Sequence, residues 1–263
     1  MSDDAIRFTA KLKGASDVAR LLRRHPEKVG RTLESLVKQE GRGLAVELAR
    51  NTRPFGFSEK ARKLGEDAVA GDISGVFALP SDAFEEIRKS DPEAADRFWA
   101  NIQNRRFARA QNTLRQSGSG WKDLTVGRLD PNLHQWGQLG AAKPKQIVTS
   151  KKARDNYIAK IQKRVGFAKG SWINAGKSIG GRIRGAVQWA TRHKQAPGSA
   201  VVKTGAKASV TLVNNLDYIE DVSTYTGINL ALQIAAARLR KALATSLQKI
   251  NERANQALRR RAG

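Results

Sequence analysis

The sequence contains no cysteine among its 263 residues. Disulfide bonds, thiolate nucleophiles and zinc sites built on cysteine are therefore excluded. No run of about 18 apolar residues is present either, so the sequence predicts no membrane-spanning helix. The first four residues, MSDD, lack the basic and apolar regions of a signal peptide. These absences suit an intracellular or assembly protein, for which we predict no membrane partner.

Acidic residues become scarce after the first hundred positions. Residues 1–100 hold 18 Lys or Arg and 17 Asp or Glu, whereas residues 101–263 hold 30 Lys or Arg and 7 Asp or Glu. The net charge of the whole sequence is +24. A basic half next to a nearly neutral half predicts that a polyanion or an acidic surface lies against the basic part. Solubility alone is the alternative reading of this charge.

Residue patterns typical of enzymes and metal sites are also missing. The GKS triplet at 176–178 lacks the glycine that a phosphate-binding loop places five residues earlier. The histidines His25, His134 and His193 are far apart, without a carboxylate at ligand spacing, and we predict capping or surface roles for them. We therefore expect no enzymatic activity, no cofactor and no bound metal.

Strand and helix patterns alternate along the chain. Apolar and polar residues alternate at 6–12 and 209–213, which is typical of half-buried strands. Helical spacing covers most of the chain between them, including 92–115 and 151–176. The sequence thus predicts an α+β fold, with a small, mostly antiparallel sheet flanked by long helices and a long C-terminal helix.

The middle of the chain shows the weakest pattern. Residues 121–145 follow no clear period and include five Gly or Pro from 127 to 144. A segment of this kind is typical of an extended or mobile arm. We predict that residues 1–80 and 146–263 form a core domain and that residues 81–145 form an insertion or a peripheral helical arm.

Basic residues are interleaved with aromatic residues near Trp172 and Trp189. Such pairs could stack on nucleic-acid bases. At this spacing, however, the aromatic residues coincide with the apolar faces of the predicted helices. We therefore predict core packing with solvated charges, including that of Lys169.

The longest helical pattern lies at the C-terminus. No Gly or Pro occurs from Ile228 to Arg261, and apolar residues recur in steps of three or four. A helix over residues 228–258 would be about 46 Å long at ~1.5 Å per residue, too long for one small domain to cover. We expect part of its apolar stripe to contact another subunit, with these candidate interface residues: Leu232, Leu239, Leu243, Leu247 and Ile250. The basic end of the helix is predicted to face DNA phosphates or an acidic partner, through Arg259, Arg260 and Arg261.

Several segments resemble the tail-completion and neck proteins of lambdoid-type tailed bacteriophages, which include minor tail and head–tail joining proteins. The similar segments are NTRPFG at 51–56, DAVAGDI at 67–73, VF at 76–77, RVGFAKGSW at 164–172, the segment 183–193, and VTLVNN at 210–215 followed by Tyr218 and the terminal helix. Together they span most of the chain outside roughly residues 80–145.

The resemblance implies a non-enzymatic structural virion protein, made in the host cytoplasm and incorporated into the neck or tail. It implies a homo-oligomeric ring, a hexamer, between head-completion or connector proteins and tail-terminator or tail-tube proteins. DNA would pass through the ring without sequence-specific contacts. The alternative, from a different class, is a free cytoplasmic protein that binds nucleic acid without sequence specificity.

Overall fold

The computed structural model describes residues 7–9, 26–134, 144–204 and 208–262. The chain folds as two compact units: unit 1 comprises Met1–Arg62 and Gly166–Gly263, and unit 2 comprises Lys63–Val165. The predicted insertion at 81–145 falls inside unit 2. Unit 2 is wider than that prediction, because residues 63–80 and 146–165 fold with it.

The described elements are mostly helical. The helices are α1 Pro26–Arg50, α2 Glu59–Val76, α3 Pro80–Arg88, α4 Pro92–Gln103, α5 Phe107–Gln116, α6 Lys151–Gln162, α7 Phe167–Ser178, α8 Gln188–Thr191, α9 Ile219–Val222 and α10 Tyr225–Ala262, with a 3-10 turn at Pro131–Leu133. The strands are β1 Arg7–Thr9, β2 Phe77–Ala78, β3 Thr125–Gly127, β4 Gln146–Val148, β5 Gly198–Lys203 and β6 Ser209–Asn214. The prediction of an α+β fold with a long C-terminal helix is confirmed.

In unit 1, α1 and α7 pack against an antiparallel sheet of strand order β1-β6-β5, and α10 packs against α1. The alternation predicted for residues 209–213 is real, since every second residue of β6 is buried. The glycines that weaken the helix pattern of α1 and α7 have a packing reason. A Cβ at Gly41 would lie 2.9 Å from Val210 Cγ1, and one at Gly176 would lie 2.7 Å from Ala45 Cβ. Glycine therefore lets α1 approach both the sheet and α7.

Unit 2 contains a second sheet, which the sequence did not predict. Its strands β2, β4 and β3 are parallel, and each is only two or three residues long. Alternation cannot be recognised in strands this short, because a period of two needs at least four residues to appear. Helices α3, α4 and α5 pack on this sheet around Phe98, Leu114 and Ile147, all fully buried.

The prediction that residues 121–145 lack packing is wrong for the part that the structure describes. Trp121, Leu124 and Val126 pack on the core of unit 2, and His134 is buried. The segment follows no helical period because it turns through a strand and a 3-10 turn. Residues 135–143 lie outside the described residues.

Three predicted helices have different limits in the structure. The helix expected over 92–115 is broken between α4 and α5, where Arg105 has a positive φ of 54°. The helix expected over 151–176 is broken at Gly166, with φ 91°. The terminal helix α10 starts earlier than predicted, since the Thr224 hydroxyl accepts from Gly227 N at 3.0 Å and caps it.

Candidate functional site

The most unusual side chain of unit 1 is a fully buried lysine, Lys169, on α7. Its Nζ donates hydrogen bonds to the carbonyl oxygens of Ala49 at 2.7 Å and Thr52 at 2.6 Å. Ala49 lies in the last turn of α1, where the carbonyls of a helix have no intrahelical donor, and Thr52 lies two residues past its end. Lys169 therefore caps α1 from inside the core. The prediction that its charge is solvated is wrong.

Two aromatic rings complete the surroundings of Lys169. Its Nζ lies 5.3 Å from the ring centroid of Phe57 and 5.6 Å from that of Trp189. Burial lowers the pKa of Lys169 from its ordinary 10.5 to about 7. A neutral amine still has two N–H donors, which matches the two carbonyls in contact with it. Because the amine is enclosed, this centre stabilises the fold rather than offering a nucleophile to a substrate.

Four of the segments that carry the family resemblance lie around this lysine, whereas 67–73 and 76–77 belong to unit 2. Segment 51–56 contains Thr52, whose carbonyl oxygen accepts a hydrogen bond from Lys169, and segment 164–172 contains Lys169 itself. Segment 183–193 supplies Trp189, whose ring would lie 2.8 Å from a Cβ at Gly166. Segment 210–215 is tied in by Asn214 Nδ2, which donates to Ala168 O at 3.3 Å. These four segments thus share one packing centre of unit 1.

Unit 2 contains a polar chain of three residues from distant parts of its sequence, with the buried His134 between the half-buried Asp72 and Tyr157. His134 Nε2 lies 2.9 Å from Asp72 Oδ2, and its Nδ1 lies 3.2 Å from the Tyr157 hydroxyl. Both ring nitrogens of His134 thus have a partner, one on each side of the ring. Burial raises the pKa of Tyr157, with Arg164 opposing it, so the hydroxyl stays protonated. The chain therefore orients Tyr157 and does not favour a phenolate nucleophile.

Tyr157 also forms part of the wall of a surface groove, the unit 2 groove. This groove has a volume of about 510 Å³ and is lined by Arg128, Leu129, Thr149, Ser150, Ala153, Asn156, Tyr157 and Lys160. The Ser150 side chain caps α6 by accepting from Ala153 N at 3.2 Å. The lining combines two cations, two hydroxyl groups and an amide with apolar side-chain surface. This chemistry suits an anion with an apolar part.

The structure places the predicted interface residues in two different environments. Leu239 is buried and Leu232 is half-buried against the core of unit 1, so both pack within the chain. Leu243 is half-buried beyond that contact. The side chains of Leu247 and Ile250 lie outside the described ones, as do those of Arg259, Arg260 and Arg261. The interface and the DNA-facing tail stay predictions.

The predicted surface role of the histidines is wrong for His134. The sequence around His134 did not indicate its partners, since Asp72 lies 62 residues before it and Tyr157 lies 23 residues after it. His193 is half-buried, with its ring 5.6 Å from that of Phe167. His25 lies outside the described residues. Within the described ranges, no group of three or more His, Asp or Glu is placed to hold a metal ion, and no helix there has the length and apolar character needed to span a bilayer.

Replacing His134 by Ala should lower the free energy of unfolding by about 2–4 kcal/mol, because Asp72 and Tyr157 lose their buried partner and a cavity remains. Urea unfolding measures this loss. Asp72→Ala and the double variant complete a mutant cycle, in which we expect a coupling above ~0.5 kcal/mol. Additive effects of the two substitutions would show that the 2.9 Å contact contributes nothing to stability.

Comparison of this chain with known protein families, curated proteins and solved structures found no match.

Proposed function

We propose that this protein is a structural virion component that forms a ring in a phage neck, between head-completion or connector proteins and the tail, and lets DNA pass. The proposed ring contains six copies, as the resemblance implies. The observation that supports this proposal best is the length of helix α10 that follows Leu239, its last residue described as buried.

Helix α10 is 38 residues long, or about 57 Å at ~1.5 Å per residue. Its first part packs on unit 1, and the buried residues described there are Ile228, Ala231, Ala235 and Leu239. An ion pair secures that part, with Arg238 Nη2 2.8 Å from Oε1 of the buried Glu47. Beyond Leu239, every side chain that the structure describes is exposed or half-buried. About 35 Å of helix follows Leu239, the last residue of α10 that the structure describes as buried.

An isolated helix of this kind gains little stability from its own backbone. Most helical stability in proteins comes from packing an amphipathic face. The apolar spacing nevertheless continues in the sequence past Leu239, at Leu243, Leu247 and Ile250. A second copy of this helix offers the same apolar spacing, and this continuity supports an interface between subunits.

Basic residues dominate the same part of the helix. Residues 240–262 include seven Lys or Arg and one Glu. Copies of such a helix would repel one another unless anions lay nearby. DNA inside a ring would provide these anions, and head or tail proteins with acidic surfaces would provide them outside it.

We expect weak, sequence-independent DNA binding at low salt. If about six phosphates are neutralised, affinity should fall by ~10³-fold or more between 50 and 200 mM salt. Replacing Arg259, Arg260 and Arg261 by Gln should weaken binding and reduce the salt dependence, as measured by fluorescence anisotropy. A tight, sequence-selective complex that survives high salt would contradict the ring proposal and favour the free nucleic-acid-binding protein.

A further inference from the structure

We propose that the unit 2 groove binds the phosphodiester backbone of nucleic acid, with Arg128 and Lys160 as the contacting cations. This inference extends the proposed function, because it gives unit 2 a nucleic-acid contact that subunit assembly through α10 does not require. It rests on the lining of the groove and on the charge of the helix beside it.

The charges of the groove lining all have one sign. Arg128 and Lys160 are both exposed side chains, and the lining includes no carboxylate. Among the described residues, neither cation lies within ion-pair distance of an Asp or Glu, whereas Lys151 near the groove pairs with Asp155 at 2.8 Å. Charge on Arg128 and Lys160 is therefore available to an anion from solvent.

Neutral donors surround the two cations. Thr149 and Ser150 contribute hydroxyl groups, and Asn156 contributes an amide. Because Ser150 is the N-cap of α6, the groove also lies at the positive end of that helix dipole. Phosphate oxygens accept hydrogen bonds from the Ser150 hydroxyl, the Asn156 amide and the two cations, as is usual for backbone contacts to nucleic acid. The Thr149 hydroxyl is not one of these donors, because it already donates to Gly127 O at 3.2 Å.

The groove lining also has an apolar part, which is held in place. Leu129 and the Tyr157 ring form it, and the hydrogen bond to His134 orients that ring. The ring also lies edge-on to Phe77, with centroids 6.0 Å apart. A fixed apolar surface next to cations suits the sugar that links successive phosphates better than it suits a free, fully hydrated phosphate ion.

The outward face of α6 continues the basic surface away from the groove. Lys152, Asn156 and Lys160 are exposed and spaced four residues apart, which places them on one helix face. Lys152 and Lys160 are separated by about 12 Å along the axis at ~1.5 Å per residue. Two lysines this far apart can contact different phosphates of one chain, whereas a small anion would contact only one of them.

The test is the affinity of the full chain for a short mixed-sequence duplex DNA at low salt, measured by fluorescence anisotropy. In the Arg128→Gln/Lys160→Gln variant, affinity should fall by roughly tenfold or more. The slope of log affinity against log salt should become less steep by about 1.8 if both cations neutralise a phosphate. The matched control is Arg115→Gln/Lys122→Gln, which removes two exposed cations of unit 2 that do not line the groove.

In the control variant, the salt slope should change by less than about one third of the change seen in the groove variant. An equal loss in both variants would overturn the inference, since binding would then follow overall charge. Unchanged affinity in the groove variant would overturn it too, and so would full competition by inorganic phosphate at constant ionic strength. Native mass is measured on the same samples, so a failure of assembly would be recorded separately from a failure of this site.

Discussion

Replacing Lys169 by Met should lower the free energy of unfolding by about 2–5 kcal/mol at alkaline pH. Methionine fills a similar volume but removes the Lys169 donor from the carbonyls of Ala49 and Thr52, and Ala49 O keeps only the long 3.4 Å contact from Thr52 N. Each unsatisfied buried carbonyl costs ~1–3 kcal/mol. Chemical denaturation followed by tryptophan fluorescence measures the loss.

The size of this loss should depend on pH. The pKa of Lys169 in the folded chain is about 7, below its ordinary 10.5. Between these values the unfolded chain holds the lysine proton and the folded chain releases it, so the free energy of unfolding rises with pH. The contribution of Lys169 is therefore complete above pH 10.5 and decreases as the pH falls toward 7. From about pH 7 to about pH 9 the difference between wild type and Lys169→Met should grow by roughly 2 kcal/mol.

The matched control is Lys177→Met, which changes an exposed lysine of the same helix. Its effect should stay within about 0.5 kcal/mol and should not vary with pH. A Lys169→Met difference that is constant between pH 7 and pH 9 would contradict the lowered pKa. A variant as stable as wild type at both pH values would contradict the capping role itself.

Substituting both Leu243 and Leu247 by Asp should abolish self-association and leave the fold intact. Leu243 lies past the last buried residue of α10, so a carboxylate there does not enter the core of unit 1. Leu247 follows Leu243 by one helical turn in the sequence. In an apolar interface between helices, two buried carboxylates would cost several kcal/mol, which is sufficient to disrupt it. Sedimentation velocity and circular dichroism measure assembly and helix content.

Thr245→Asp provides the control, because it adds a carboxylate to the exposed opposite side of the same helix turn. It should assemble normally. Leu239→Asp should instead unfold unit 1, since Leu239 is buried within the chain. If Leu243→Asp/Leu247→Asp also unfolded, the apolar stripe of α10 would belong to the core of the chain itself along its whole length. If it assembled like wild type, α10 would not be the interface.

Sequence patterns predicted the elements whose periodicity extends over many residues. The spacing of α10 and the alternation in β6 are visible without a structure, because each repeats several times. The strands β2, β3 and β4 are too short to show a period, and their parallel arrangement depends on partners far apart in the chain. The breaks at Arg105 and Gly166 depend on single residues with positive φ, which a periodic apolar pattern does not detect.

The buried polar centres were harder to predict than the helices. Lys169 is surrounded by glycine, alanine, serine and tryptophan in the sequence, and that composition could have indicated a buried position. A lysine is nevertheless almost never fully buried, so solvation was the reasonable expectation. For His134 there was no comparable signal, because Asp72 and Tyr157 meet it only through the tertiary fold.

The native mass of the purified full chain tests the central claim most directly. One chain has a mass of 28.8 kDa, so six copies would give a species of about 173 kDa. The proposal predicts that species for the wild type and the 28.8 kDa monomer for Leu243→Asp/Leu247→Asp. A wild-type chain that stays monomeric at the highest soluble concentration, with or without DNA, would contradict the account.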